Sequence, residues 1–326
     1  MSEPSVTVII AARPDQAEIK AVAAARELDY PADRLEIIVA RGKQPSVQRN
    51  TAMRAARGDW IYFLDDDSVP QRDNLRRALK LLNDGSVKMI GGPNLCPKEA
   101  PPLEQVFAVV LASWLAFGPS RARYTPVGVV RETSEKELIL CNLMARRDAM
   151  LELGGFNEAL YPNEENALMD ELQKRGGRLV YDPQFLADRR PRHSLKAFIK
   201  MLMTYGRGRA EQFRLHPGFG SAMNFIPPLF CLYLFGLLVL ALIPGESLAP
   251  LKCLAAAPLG LYGVLVVLQT VALMPSHGFI RSVLAMPLLV ASHLFYGIGF
   301  WRGLFTKLNQ GDNRPRVEVR LETVAR

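Results

Sequence analysis

The stretch DWIYFLDDDSVP, residues 59 to 70, decides how this chain reads. Five largely apolar residues, Trp60 to Leu64, run straight into three carboxylates, Asp65, Asp66 and Asp67. Adjacent like charges repel, and an acidic tip that needed only water would not need an apolar strand to aim it. A buried strand that delivers acids to the edge of a sheet, where something positive meets them, accounts for both halves of the pattern.

The neighbouring sequence supplies that sheet. SVTVIIA (5 to 11) and LEIIVA (35 to 40) are apolar, β-branched runs of strand length, and DQAEIKAVAAARE (15 to 27) and SVQRNTAMRAARG (46 to 58) have helical spacing. Alternation of such runs with amphipathic segments predicts βαβ crossovers and a mainly parallel α/β sheet. Sheets of this kind bind ligands beyond the carboxyl ends of their strands. The acids at the end of the third strand are therefore expected beside the loops that follow Ile10 and Val39.

The chain has 326 residues, enough for one large domain or two ordinary ones. Hydrophobic residues make up 49% against 22% charged, with a mean hydropathy of +0.06, so apolar and charged material is expected to be segregated. Cys96, Cys141, Cys231 and Cys253 lie far apart with no CxxC, which argues against structural zinc and against a disulfide framework. The start, MSEPSVTVII, has no basic region before its apolar run and carries an acid, so no signal peptide is expected and the first residues should stay in the cytoplasm.

The second half differs in kind. MNFIPPLFCLYLFGLLVLALIP (223 to 244) carries no charge, and two further apolar runs follow near 253 to 275 and 282 to 301. Nineteen helical residues rise about 28 Å, one hydrocarbon core. Three spans, at 225–243, 253–275 and 282–301, are therefore expected. LEQVFAVVLASWLAFG (103 to 118) is apolar but short of a crossing, and reads as a buried or membrane-dipping helix.

Before the spans lies RRPRHSLKAFIKMLMTYGRGRAEQFR (189 to 214), with eight Lys and Arg. Leu195, Phe198, Ile199, Leu202 and Tyr205 share a helical face while Lys196, Lys200, Arg207 and Arg209 point elsewhere. A basic amphipathic helix next to a span belongs in the headgroup layer, so the net charge of +8 is directed at a membrane and not at nucleic acid. Ser194 is a plausible N-cap, and Met201 and Met203 read as membrane-facing filler. His216, Pro217 and Gly218 punctuate the passage to the first span, and His293 is expected to hydrogen-bond between helices. The loop after the first span holds Lys252 alone, which places the N-terminal domain in the cytoplasm. Three crossings would then export a tail, residues 302 to 326, that holds six Lys and Arg, against the same rule.

Taken together, VTVIIAARPD, LEIIVARG, QRNTAMRAARGDWIYFLDDDS, GGFNEALYPNEENALMDELQKRGGRLVYDP and YGRGRA follow one another much as in family 2 glycosyltransferases, over about residues 5 to 215. The resemblance is strongest to membrane-anchored members that build bacterial exopolysaccharides or modify lipid-linked glycans. It implies a GT-A fold (Rossmann-like, mainly parallel) over 1–188, a basic interfacial helix and linker over 189–222, and a membrane domain with a basic tail over 223–326. It also implies a nucleotide-sugar donor, Mg²⁺ or Mn²⁺, inversion at the anomeric carbon and a lipid-linked polyprenyl acceptor. The localisation that follows is the inner (plasma) membrane, multi-pass, with the catalytic domain cytoplasmic.

By residue, the resemblance assigns Asp67 and Asp65 to the metal, since hard cations need carboxylate oxygens and a departing diphosphate needs a cation. Asp66 supports them. Acceptor activation needs a base; Glu165 matches the family's base Asp and Glu164 the Glu before it, although two glutamates opening a helix are also common helix starters. Ala11, Arg13, Asp15, Arg41, Arg49 and Asn50 are expected around the donor, with Arg49-Asn50 matching the family's Arg-Asn. The family's Asp pair after the second strand is replaced by Ala40 and Arg41, so UDP is expected without its usual carboxylate. Arg207 and Arg209 are expected at an acceptor or diphosphate. The Gln-x-x-Arg-Trp of processive members is missing, which favours transfer of single sugars.

Three other readings stand beside this one. The acids could cap a helix begun by DSVPQRDNLRRALKLL. FLDDDSV also fits a haloacid-dehalogenase-like membrane phosphatase with Asp65 as nucleophile. The missing Asp pair allows a catalytically degenerate transferase that acts as a binding protein.

Overall fold

The computed structural model describes residues 3–82, 85–158, 160, 163–215, 219–307 and 318–325; His216, Pro217 and Gly218 lie outside them. The chain divides into two compact units. The first comprises Met1–Glu99, Pro119–Arg190 and Asn309–Arg326, and the second Ala100–Gly118 and Pro191–Leu308. The units are thus interleaved along the sequence.

In the first unit the strands are β1 (Val6–Ala12), β2 (Leu35–Arg41), β3 (Trp60–Asp65), β4 (Val69–Pro70), β5 (Val87–Gly91) and β6 (Asn94–Leu95). They continue with β7 (Arg131–Thr133), β8 (Asn142–Arg146), β9 (Arg178–Tyr181), β10 (Ala187–Asp188) and β11 (Arg320–Val324). An eight-stranded sheet runs in the order β11-β2-β1-β3-β8-β5-β9-β7, and β4-β10-β6 form a small second sheet. β1 pairs parallel with both β2 and β3, whereas β8 enters antiparallel between β3 and β5. Strand order reverses at β1, so the loops after β1 and β3 diverge and leave a crevice at their carboxyl ends.

The helices, numbered through the whole chain, are α1 (Lys20–Arg26), α2 (Pro45–Ala55), α3 (Asn74–Leu81), α4 (Pro102–Leu111), α5 (Trp114–Phe117) and α6 (Arg147–Glu152). After them come α7 (Glu164–Lys174), α8 (Leu195–Leu215), α9 (Ile226–Leu242), α10 (Ala249–His277) and α11 (Phe279–Phe305). Apolar residues of β3 fill both faces of the sheet, because helices cover both. Trp60, Tyr62 and Leu64 pack with Ala21 and Ala25 of α1 and Leu75 and Ala78 of α3. Ile61 and Phe63 pack on the opposite face with Ala52 and Met53 of α2 and Met169 and Leu172 of α7. A side chain of that size contributes about 1.5–3 kcal/mol on full burial. The two-residue period of the strand therefore sends Asp65 to the α2 and α7 face.

Gly58 lets β3 start hard against β1: a Cβ there would stand 2.4 Å from the Thr7 backbone nitrogen. The Gly58 N–H donates to Thr7 Oγ1 at 2.9 Å instead.

Several local expectations are corrected. The first helix begins at Lys20 and not at Asp15, because Ile19 is extended and the Ala21 N–H bonds the Asp66 carbonyl at 3.1 Å. The capping reading of the acids fails as well. Val69 and Pro70 are held in β4 against β10, and α3 starts only at Asn74.

In the second unit the 103–118 segment is two helices, α4 and α5, broken at Ser113, whose hydroxyl accepts the Ala116 N–H. The α4–α5 pair is bent by 62°. Three C-terminal helices, Ala222–Leu242, Ala249–His277 and Phe279–Phe305, are long and apolar enough to cross a membrane. Ser194 Oγ accepts the Ala197 N–H at the start of α8. The apolar stripe of α8 buries Phe198, Met201 and Leu202 within the unit, so Met201 is core and not lipid-facing. His293 bridges helices as expected, with Nδ1 2.8 Å from the Tyr262 hydroxyl and Nε2 2.9 Å from the Leu115 carbonyl.

Candidate active site

Ala11 and Asp65 are paired across the β1–β3 ladder, and Ala11 pairs with Ala40 across β1–β2, so three strand ends finish at one level. Gln48 of α2 staples two of them, donating from Nε2 to the Ala12 and Ala40 carbonyls at 2.8 and 2.6 Å. Above this rim Asp65 meets two arginines. Arg49 Nη2 is 2.8 Å from Asp65 Oδ1, and Arg189 Nη2 is 3.0 Å from Oδ2. Arg189 Nε also donates to Asp67 Oδ1 at 2.7 Å. Burial works against the charge of Arg189, yet Asp65 and Asp67 hold it protonated well above its ordinary range.

The turn after β3 produces this convergence. The Ser68 N–H bonds the Asp65 carbonyl at 3.1 Å, which folds Asp67 back beside Asp65. Asp66 is partly exposed and anchors α1 through its carbonyl. Two carboxylates that close on one guanidinium form an all-oxygen seat of the kind a hard divalent cation takes. Among the described residues no group of three His, Cys, Asp or Glu could hold a metal by protein ligands alone. Asp65 and Asp67 could hold such a cation only with further ligands from outside the protein.

The opposite wall is the start of α7. Asn163, its N-cap, has φ 101°, a left-handed conformation that costs a non-glycine residue on the order of 1–3 kcal/mol. It is fixed by Asn166 Nδ2, which donates to Asn163 Oδ1, and Asn166 in turn accepts from Arg123. This geometry turns Glu164 inward, 3.5 Å from Arg49 Nη1 and buried, while Glu165 stays partly exposed. Burial first, and the charge of Glu165 second, push the Glu164 carboxyl up to about 7, with Arg49 opposing.

A pH dependence follows. Between about 4.5 and about 7 the folded state keeps a proton on Glu164 that the unfolded chain has released, so stability falls as pH rises through this window. One pKa unit corresponds to about 1.4 kcal/mol. The difference in unfolding free energy between wild type and Glu164→Gln, followed by thermal denaturation from pH 4.5 to 8, is expected to move by a few kcal/mol in favour of the variant. An unchanged difference would show that Glu164 ionises freely.

The remaining expected donor residues divide. Arg13 and Asp15 are exposed in the loop after β1. Arg41 is committed elsewhere: its Nε bonds Glu322 of β11 at 2.9 Å, and its Nη1 bonds the Gln16 carbonyl at 2.7 Å. Asn50 is buried and ties α2 to the loop before α7, through the Phe156 N–H and carbonyl and through Glu158. Arg207 and Arg209 belong to the second unit, where they meet Glu211 and Gln212 on α8.

Sequence reasoning missed two participants. Arg189 was counted in the basic stretch; its signal was a place directly after the short strand β10, which lies beside β4 and so beside the acids. Glu322 sits in a tail whose alternating Val319, Leu321 and Thr323 against Arg320 and Glu322 mark a strand.

A sheet with its acids at the β1/β3 crevice defines a GT-A-like domain. The chain belongs to the family described as glycosyltransferase like family 2, whose model matches residues 1–204. It is 31% identical over 192 residues to the succinoglycan biosynthesis protein ExoA of Rhizobium meliloti, covering 59% of this chain and 54% of that protein. It is 28% identical over 176 residues to the pre-mycofactocin glycosyltransferase of Mycobacterium tuberculosis, covering 54% of this chain and 36% of the relative. The chain thus spans between about a third and about half of these relatives. A solved structure of the mannosyltransferase PcManGT from Pyrobaculum calidifontis, in complex with GDP-Man and Mn²⁺, superposes with a TM-score of 0.54 at 19% identity. That match covers 93% of this chain and 88% of the other, and bears on the fold.

Proposed function

We propose that this chain is an inverting, metal-dependent glycosyltransferase that moves one hexose from a nucleotide-sugar, a UDP-sugar by preference, to a lipid-linked polyprenyl acceptor. The setting is exopolysaccharide or cell-envelope glycan synthesis at the plasma membrane, with the sheet on the cytoplasmic side. The observation that supports the reading is the closure of Asp65 and Asp67 on Arg189, with Glu164 of α7 joined to Asp65 through Arg49.

Bound Mg²⁺ or Mn²⁺ at Asp65 and Asp67 supplies charge neutralisation for the leaving diphosphate. The protein's own groups do the rest. Arg49 and Arg189 orient Asp65 and offer further donors to phosphate oxygens, a geometry guanidinium suits. Glu165, the more exposed of the pair, takes the proton of the acceptor hydroxyl. Glu164 positions Arg49. Arg207 and Arg209 meet a lipid-borne diphosphate.

The phosphatase alternative calls for a further acid pair behind a strand, and Glu164 and Glu165 open helix α7 instead. The purified full chain in lipid, given Mg²⁺ or Mn²⁺ and a panel of UDP-, GDP- and dTDP-sugars, is expected to consume one donor and add its sugar mass to a polyprenyl phosphate or diphosphate. Chelation should stop the reaction, and readdition of metal should restore it. Donor binding without turnover, under every metal and lipid tried, would favour the degenerate binding protein instead.

A further inference from the structure

Strand pairing constrains how this chain crosses a bilayer. β8 pairs with β3 from Trp60 opposite Arg146 to Leu64 opposite Asn142. Residues before α4 and after α5 thus share one sheet, and the bent α4–α5 pair enters and leaves on the same side. β11 pairs antiparallel with β2, from Arg320 opposite Arg41 to Val324 opposite Ile37. Leu321 and Val324 pack into the two cores of the sheet, and Arg26 Nε bonds the Ala325 carbonyl at 3.0 Å. The stretch between α11 and β11 holds Lys307, Asp312, Arg314, Arg316 and Glu318, charges that hydrocarbon excludes. From β10 to β11 the chain must therefore cross an even number of times.

Three helices qualify as spans, and an odd count has to lose one. α9 and α10 are antiparallel neighbours: the Phe230 and Tyr262 rings are 4.6 Å apart, Tyr233 donates to the Ala255 carbonyl at 2.7 Å, and Lys252 Nζ bonds the Ile243 carbonyl at 2.7 Å. Arms joined along their length share one status. Both are apolar all round, with 6% of each span buried, so both need lipid on every side. They contribute two crossings, and parity leaves none for α11.

α11 differs physically as well. Its apolar window is 39% buried, and its glycines seat it directly on α8. A Cβ at Gly299 would stand 2.1 Å from the Met203 carbonyl oxygen, and one at Gly303 would stand 2.5 Å from that of Arg207. Arg214 of α8 bonds the Gly303 carbonyl at 3.0 Å. α8 carries Lys196, Lys200, Arg207, Arg209 and Arg214, which hold it and the C-terminal turns packed on it at headgroup level.

We propose that the protein is anchored by a two-pass hairpin, α9 and α10, and that α11 begins and ends on the side of the sheet. The tail then returns to that sheet as β11. Arg281, Arg302 and the basic tail come to lie on the positive side, and the conflict over an exported tail disappears.

The test uses the full chain with Cys96, Cys141, Cys231 and Cys253 replaced by serine and one cysteine added at a time: Glu152→Cys, Ser247→Cys, His277→Cys or Arg326→Cys. A membrane-impermeant maleimide is applied to intact cells and to inverted vesicles. Glu152→Cys, His277→Cys and Arg326→Cys should react from one side and Ser247→Cys from the other. Reaction of Arg326→Cys opposite Glu152→Cys, or of Ser247→Cys on the same side as it, overturns the proposal. Should the cysteine-free chain fail to insert, protease protection of a C-terminal epitope on the unsubstituted chain reads the same side. These outcomes concern strand pairing and are independent of whether any sugar is transferred.

Discussion

Asp67→Asn should lose glycosyl transfer by a factor of roughly 10³, about 4 kcal/mol, while the fold is left nearly intact. Asp67 is 42% exposed at its side chain and is held in the described residues through Arg189. Arg189 keeps its pairing with Asp65 in that variant, so the loss of stability is expected to be about 1 kcal/mol or less. Asp65→Ala should behave differently. Its carboxylate answers both Arg49, 8% exposed, and Arg189, and removing it strands buried charge at a cost of about 3–5 kcal/mol. Donor turnover measured beside thermal denaturation separates the two. If Asp67→Asn transferred sugar at the wild-type rate, the carboxylate pair would have no part in holding a cation.

The second large effect belongs to the start of α7. Glu165→Gln should lower kcat by roughly 10²–10⁴, the usual worth of a positioned base, and leave donor affinity within about twofold. Glu164→Gln should keep most of kcat and alter mainly donor KM, since Glu164 is buried against Arg49 and acts through it. Steady-state rates across pH for both variants check the assignment. The reverse pattern, with Glu164→Gln the inert enzyme, would move the base one residue back.

Much of the catalytic unit could be read from local pattern. β1, β2 and β3 are continuous apolar runs because both faces of the sheet are covered, and such runs stand out against turn residues. Asp65 and Asp67 were legible as a pair because they follow a buried strand directly. α7 announced itself through its two first-turn acids. By contrast α1 was drawn to start five residues too early, since the Asp66 carbonyl that meets its first turn lies far away in sequence. Arg41 and Arg49 were both expected at the donor, the second on a helix. Only the arrival of Glu322 on β11 turns Arg41 to the sheet edge and leaves Arg49 to face the acids.

The amino-acid order alone determined the α/β class, the placing of the acids at a strand end, the basic helix and the three apolar segments, because each is a property of residues close together in the chain. The partnership of Asp65 and Asp67 with Arg189, the inward turn of Glu164 and the return of the tail to β2 were decided only by the tertiary structure. Those contacts join residues separated by more than a hundred positions, and a local pattern of charge or hydropathy holds no information about which distant partner will satisfy it.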